Sequence, residues 1–277
     1  MIIEFIKTII LGIVQGVSEW LPISSTGHLI LVDEFIELSI YQDYIVNDQF
    51  VVLFMVLIQL GSIFAVIRLF YYDLTIINKS VDNRRDTYRL WVMIIIGSVP
   101  AGIIGLLFDD YITSLLYNPI CVSISLIVYG ILFIIIENSD KKFSINSISN
   151  MRYLDVLYIG LFQVLALLPG TSRSGSTIMG GMLIGANRSV SASFSFYLAI
   201  PVMFGASLLK IIKLNISLDL YGIIILLVGM LVSYLVSLLV IKKLMVYIRK
   251  YSFKIFGYYR IVLGIIILLY FGVLSYV

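Results

Sequence analysis

The segment Gly16-Val17-Ser18-Glu19-Trp20-Leu21-Pro22-Ile23-Ser24-Ser25-Thr26-Gly27-His28 interrupts an apolar run that extends from Ile2 to Phe35. Pro22 and the hydroxyl cluster after it stop a helix at a depth where, in a membrane, freed backbone N–H and C=O groups must be satisfied by protein or by a water-filled cavity. The run therefore reads as a broken, re-entrant hairpin and not as one span. Tyr153 to Gly185 is broken in the same way, by Pro169-Gly170-Thr171-Ser172-Arg173-Ser174-Gly175-Ser176-Thr177. Gly12, Gln15, Ser24, Thr26 and Gly27 match Gly160, Gln163, Ser172, Ser174 and Gly175 at a constant offset of 148 (163 − 15; 172 − 24), an internal repeat.

Around these breaks the chain is built for lipid. Of its 277 residues 61% are hydrophobic and 13% charged, with a mean hydropathy of +1.07, well outside the range of soluble domains. Apolar runs of about 20 residues, enough to cross a hydrocarbon core of ~30 Å, lie near Phe50 to Phe70, Leu90 to Phe108, Ile120 to Ile136, Phe194 to Lys210, Tyr221 to Ile241 and Ile255 to Phe271. The expectation is one all-α polytopic membrane domain over 1–277 with pseudo-symmetric halves 1–140 and 150–277. Each half is a re-entrant broken-helix hairpin followed by three transmembrane helices. Because three is odd, the second copy enters from the opposite side, which makes the repeat an inverted one.

Loop charge agrees. Lys79, Arg84, Arg85 and Arg89, then Lys141, Lys142 and Arg152, then Lys242, Lys243, Arg249, Lys250 and Lys254 fall on one side, the cytoplasmic one by the positive-inside rule. Asp33, Glu34, Glu37, Asp43, Asp48, Asp109 and Asp110 fall outside, with Lys210 and Lys213 as exceptions. The net charge of +3 argues for orientation in a bilayer and against nucleic acid. Met1 to Gly12 runs into Gln15 and Glu19 without a small-residue cleavage site and reads as mature protein. The single Cys121 can form no internal disulfide. Arg188 reads as a snorkelling anchor, and Gly97, Gly102, Gly105, Gly180, Gly181 and Gly185 as close helix contacts.

The breaks also carry reactive groups. Gln15 and Glu19 share a helix face one turn before Pro22, and an intramembrane carboxylate is a functional candidate with a partner to be found. Its bland role would be to satisfy freed backbone groups. Ser24 or Ser25 can cap the restarting helix; His28, three or four residues on, can reach a serine hydroxyl as a base or act as nucleophile itself. Ser172, Arg173, Ser174 and Thr177 form an anion clamp of hydroxyls, helix-start N–H groups and a guanidinium that can grip phosphate. Together these are the parts of a phosphoryl-transfer site.

At these residues the sequence closely resembles the undecaprenyl-diphosphate phosphatase family, also called bacitracin-resistance proteins. One signature is met by Gln15, Glu19, Pro22, Ser24, Ser25, Gly27 and His28, the other by Pro169, Gly170, Ser172, Arg173, Ser174 and Thr177. Gln15 is the less acidic option at its position. The resemblance implies hydrolysis of undecaprenyl diphosphate to undecaprenyl phosphate and inorganic phosphate, recycling the lipid carrier of cell-wall synthesis in the bacterial cytoplasmic membrane. It further implies a site open to the outer face, dependence on Mg2+ or Ca2+, and bacitracin resistance; a homodimer is compatible with it.

On this expectation Ser25 attacks phosphorus, and His28 and Glu19 handle the proton. Glu19 also helps to hold the cation, Ser24, Ser172, Ser174, Thr177 and Arg173 bind phosphate, and Gln15 is accessory. A phosphohistidine at His28 is the alternative chemistry. An inverted-repeat transporter or lipid flippase is the alternative function, and a scaffold whose polar breaks serve only folding is the third.

Overall fold

The computed structural model describes residues 2–77, 79–139, 143–214 and 216–272. Lys141, Lys142 and the side chains of Asp33, Asp109 and Asp110, used in the loop-charge argument, lie outside the described residues. The chain forms α1 (Ile2–Ser18), α2 (Ser25–Asp33), α3 (Tyr44–Leu69), α4 (Tyr71–Leu74), α5 (Val81–Leu116), α6 (Pro119–Asn138), α7 (Tyr153–Val164), α8 (Arg173–Leu183), α9 (Arg188–Lys213), α10 (Leu220–Ile248) and α11 (Lys254–Gly272). Among the described residues extended structure is limited to one bridge, Ile145 to Ala186.

Among the described residues six helices, α3, α5 as far as Phe108, α6, α9, α10 and α11, are long and apolar enough to cross a membrane, and each matches one of the six expected runs, α3 ending one residue short of Phe70. The starts of α3, α5, α6, α9 and α10 are set by side-chain caps just ahead of the apolar stretch. Asp43 accepts the N–H of Val46, Asn187 that of Val190 and Asp219 that of Gly222, each satisfying a donor with no partner inside the helix. The four remaining long segments are shorter: 17 residues in α1, 9 in α2, 12 in α7 and 11 in α8. At about 1.5 Å per residue, α2, α7 and α8 each fall well short of a ~30 Å core.

Packing joins the two halves. α1 lies against α10 and α7 against α5, while α3 meets α10, α5 meets α9 and α6 meets α11. Along α10, Leu227, Leu231, Leu235 and Leu239 are exposed at a spacing of four, whereas Gly222, Ile225, Leu226, Gly229, Ser233 and Ser237 are buried. The apolar stripe thus faces lipid and the small and hydroxyl residues face protein, as expected where lipid is as apolar as leucine. Ser62 of α3 and Ser233 of α10 share a buried hydrogen bond of 2.8 Å.

A Cβ on Gly160 would stand 2.5 Å from the Gly97 carbonyl oxygen, and one on Gly181 would stand 2.7 Å from Ser191 Oγ; these glycines, with Gly180 against Phe162, are close contacts. Two others correct the sequence reading: a Cβ on Gly102 would meet nothing within 4 Å outside its own helix backbone, and Gly185 is a turn residue with φ +93°, the left-handed conformation that glycine takes most readily.

Arg188 is also not a snorkelling anchor. Its guanidinium forms a fork on Glu137 (Nε to Oε1 2.9 Å, Nη2 to Oε2 2.6 Å), and Glu137 Oε1 further accepts the Phe253 N–H at 2.8 Å. The carboxylate, only 1% exposed, ties together the end of α6, the start of α9 and the chain leading into α11. Breaking a buried pair by removing one partner leaves an uncompensated charge. Glu137→Ala is therefore expected to destabilise by about 3 kcal/mol, seen as a lower unfolding midpoint in detergent; an unchanged midpoint would contradict this role.

Candidate active site

Both breaks have the same local structure. Ser24 and Ser172 each have φ 71° and are the only non-glycine residues with positive φ among the described residues. Each caps the helix that restarts, with Gly27 N–H donating to Ser24 Oγ (3.3 Å) and Gly175 N–H to Ser172 Oγ (3.1 Å). Such a backbone costs about 1–3 kcal/mol per residue and persists where its surroundings hold it in place.

Glu19 joins the two breaks. Its carboxylate accepts Gln15 Nε2 (3.0 Å) and Ser25 Oγ (3.1 Å) on Oε2, and Arg173 Nη2 (2.9 Å) on Oε1. Arg173 also donates Nη1 to Ser195 O at 3.0 Å and lies over the Trp20 ring at 5.2 Å. Ser174 Oγ donates toward Glu19 O and Leu21 O at 3.1 and 3.2 Å. The partner that an intramembrane Glu requires is thus an arginine 154 residues away in the chain.

Between the breaks lies a cavity of about 220 Å³, lined by Glu19, Ser24 and Ser25 from one side and by Gly170, Ser172 and Arg173 from the other. Gln163 Oε1 and Arg173 Nε are buried without a hydrogen-bond partner in the protein, and both residues line this cavity. Polar atoms of this kind are normally satisfied, so the cavity is provisioned for a polar ligand that accepts from the guanidinium. Two other cavities, of about 340 and 400 Å³, contain none of the motif residues.

The remaining sequence candidates are placed differently. Gln15 sits behind Glu19 and holds it. Thr177 sets its hydroxyl against Arg173 O (2.9 Å) and Ser195 Oγ (2.7 Å), inside the wall, and Ser174 is occupied in bridging the breaks. His28 does not reach a serine hydroxyl: Nδ1 stands 2.7 Å from Ser24 O and Nε2 2.7 Å from Tyr259 Oη, with the two rings stacked at 5.5 Å. Since a carbonyl only accepts, Nδ1 carries the proton, and in the neutral ring Nε2 accepts from tyrosine. Helical side chains lean back toward the preceding turn, which brings His28 onto the Ser24 carbonyl, and it is Glu19 that meets Ser25.

The sequence reading missed Arg260. This fully buried side chain of α11 donates Nη1 to Pro22 O (3.2 Å) and Nη2 to Gly170 O (2.9 Å). Its signal was available, because a lone arginine inside the apolar run Ile255 to Phe271 is an intramembrane charge. Among the described residues no three His, Cys, Asp or Glu side chains converge as a metal cluster. The oxygen donors at the cavity include the Glu19 carboxylate and the Ser24 and Ser25 hydroxyls, with the Gln59 and Gln163 amides also in its lining. One carboxylate with substrate phosphates is a common arrangement for Mg2+, so the set fits a cation held chiefly by a diphosphate.

The chain matches the family model described as bacitracin resistance protein BacA over residues 8–266. It is 52% identical over 273 residues to the undecaprenyl-diphosphatase of Acetivibrio thermocellus, covering 97% of this chain and 98% of that one. It is 49% identical to the undecaprenyl-diphosphatase of Desulfitobacterium hafniense (98% and 97% covered) and 50% identical to undecaprenyl-diphosphatase 1 of Clostridioides difficile (99% and 98%). With Glu19, Ser24, Ser25, Gly170, Ser172 and Arg173 of the two motifs lining one cavity and a match spanning nearly its whole length, the chain belongs to the BacA family of bacitracin resistance proteins.

Proposed function

We propose that this membrane protein hydrolyses undecaprenyl diphosphate to undecaprenyl phosphate and inorganic phosphate. This recycles the carrier lipid of cell-wall synthesis and withdraws the form that bacitracin captures. The observation that carries the reading is the Ser25 hydroxyl on the Glu19 carboxylate, facing Arg173 across one cavity.

Ser25 Oγ attacks the terminal phosphorus and passes its proton to Glu19. The bond from that phosphorus to the bridging oxygen breaks, and undecaprenyl phosphate leaves with the proton that Glu19 returns to it. Water, deprotonated by the Glu19 carboxylate so restored, then attacks the phosphoserine; the bond from phosphorus to Ser25 Oγ breaks, inorganic phosphate is released, and Glu19 hands the proton back to Ser25. Arg173, Ser24 and Ser172 bind the phosphate oxygens on which charge is spread. Gln15 keeps Glu19 in register, while Ser174 and Thr177 build the wall. His28 positions the first turn of α2 through the Ser24 carbonyl. Glu19, aided by the diphosphate, would hold Mg2+ or Ca2+, which supplies charge neutralisation on the phosphates.

The site belongs to an inverted repeat in this reading. Two pairings support it: α1 with α10 is mirrored by α7 with α5, and α3 with α10 by α9 with α5. So does the glycine of each first helix, since Gly12 meets the Gly229 carbonyl and Gly160 the Gly97 carbonyl. The halves 1–140 and 150–277 then interlock, each completing the other's core, with the cavity opening outward and the Lys- and Arg-rich loops in the cytoplasm.

Purified protein in detergent is expected to release phosphate from undecaprenyl diphosphate, to stop on addition of EDTA, and to recover with Mg2+ or Ca2+. Lipid movement without phosphate release would favour a transporter instead.

A further inference from the structure

We infer that Arg260 is the positioning residue that holds the two breaks at their working separation, an inference that rests on the phosphatase reading. Pro22 and Gly170 are equivalent positions of the repeat, 148 apart (170 − 22), and each immediately precedes the strained turn that leads to its capping serine. Their carbonyls belong to backbone that no helix satisfies. One planar guanidinium takes both, Nη1 on Pro22 O at 3.2 Å and Nη2 on Gly170 O at 2.9 Å, with the Tyr129 ring against it at 5.6 Å. Two donors in a rigid fork fix the separation of two acceptors in a way that a single ammonium cannot.

Charge sets it apart from the other site arginine. Arg173 is matched by Glu19 at 2.9 Å, whereas Arg260, 0% exposed, has no carboxylate partner among the described residues. Burying an unpaired cation is costly, and two neutral carbonyls with one aromatic face offset that only in part. The chain therefore places an expensive group where its geometric effect falls on the spacing between the Glu19–Ser25 side and the Ser172–Arg173 side. Arg260 is not itself part of the cavity lining and hydrogen-bonds none of its reactive side chains; it reaches the lining only through the Gly170 carbonyl, so its effect on catalysis passes through the two backbones.

The test is turnover of undecaprenyl diphosphate by R260Q and R260K, with thermal unfolding followed in parallel. In R260Q we expect kcat to fall about 100-fold, the penalty for misplacing reacting groups by an ångström, with KM changing less than about threefold and the unfolding midpoint within a few degrees of wild type. R260K keeps the charge and loses the fork, and is expected to recover less than about tenfold of that loss. Full recovery by lysine, or an R260Q kcat equal to wild type, overturns the inference. If R260Q does not fold, Tyr129 decides: Y129L, which removes the ring beneath the guanidinium, lowers kcat while Y129F does not, and equal kcat in the two overturns it. Absence of phosphate release by the wild type itself would overturn the function on which the inference rests, a result distinct from all of these.

Discussion

Glu19→Gln is expected to lower kcat by at least about a thousandfold, within the span attributed to a general base, while substrate binds more tightly than to wild type. The two halves of this result have one cause. Glu19 does two jobs in the resting structure, accepting the Ser25 hydroxyl on one oxygen and neutralising Arg173 with the other. Glutamine keeps the size and can still accept from Arg173, so the fold survives, but it takes no proton from Ser25. It also removes the anion with which an incoming diphosphate competes for Arg173, and that guanidinium is left free to grip phosphate. Measured with a non-hydrolysable diphosphate analogue for Kd and with the natural lipid for kcat, the variant should move the two quantities in opposite directions. A kcat within tenfold of wild type would remove Glu19 from the chemistry.

The residues needed for this argument were legible in the sequence; their relations were not. The six spans followed from hydropathy because a continuous apolar run of about 20 residues crosses lipid as a helix that satisfies its own backbone, and the two breaks followed from Pro22 and Pro169-Gly170. Rotation of a helix about its axis, by contrast, is set by its neighbours. Packing of α8 on α9 turns Thr177 toward Ser195 and away from the cavity. Packing of α2 near α11 gives His28 the Tyr259 hydroxyl. The ion pair of Glu19 with Arg173, and the fork of Arg188 on Glu137, join positions that no local spacing relates. Arg260 was visible as a charge in an apolar run, yet its purpose appears only when both breaks are placed on it.

The repeat also shows where the halves diverged. At the offset of 148, Gln15 pairs with Gln163 and Ser24 with Ser172, whereas Glu19 pairs with Leu167 and Ser25 with Arg173. Shared positions build the turn, and unshared ones carry the chemistry. An ancestral symmetric site with one residue type at both places could supply a nucleophile or a clamp, but a phosphoryl transfer needs both on opposite sides of the phosphorus. The asymmetry therefore concentrates expected function at Glu19, Ser25 and Arg173.

Arg173→Ala is accordingly expected to lower kcat/KM by about a thousandfold or more, at the upper end of what one charge-stabilising donor contributes, because it removes the clamp and also frees Glu19 from its counter-ion. Arg173→Lys should fall less, by about a hundredfold, since lysine supplies charge as a point and not as a planar fork. If the breaks served folding alone, both variants would instead lose structure, for the Ser195 carbonyl and the Glu19 carboxylate would each lose a donor. Chemical rescue separates the two cases. The alanine variant leaves space at the edge of an existing cavity, and added guanidinium at a concentration that does not denature the wild type should enter it and restore part of the phosphate release. An alanine variant that unfolds, or one that is folded and silent to guanidinium while lysine restores full activity, would show that Arg173 acts as generic positive charge or as structure and not as a phosphate clamp.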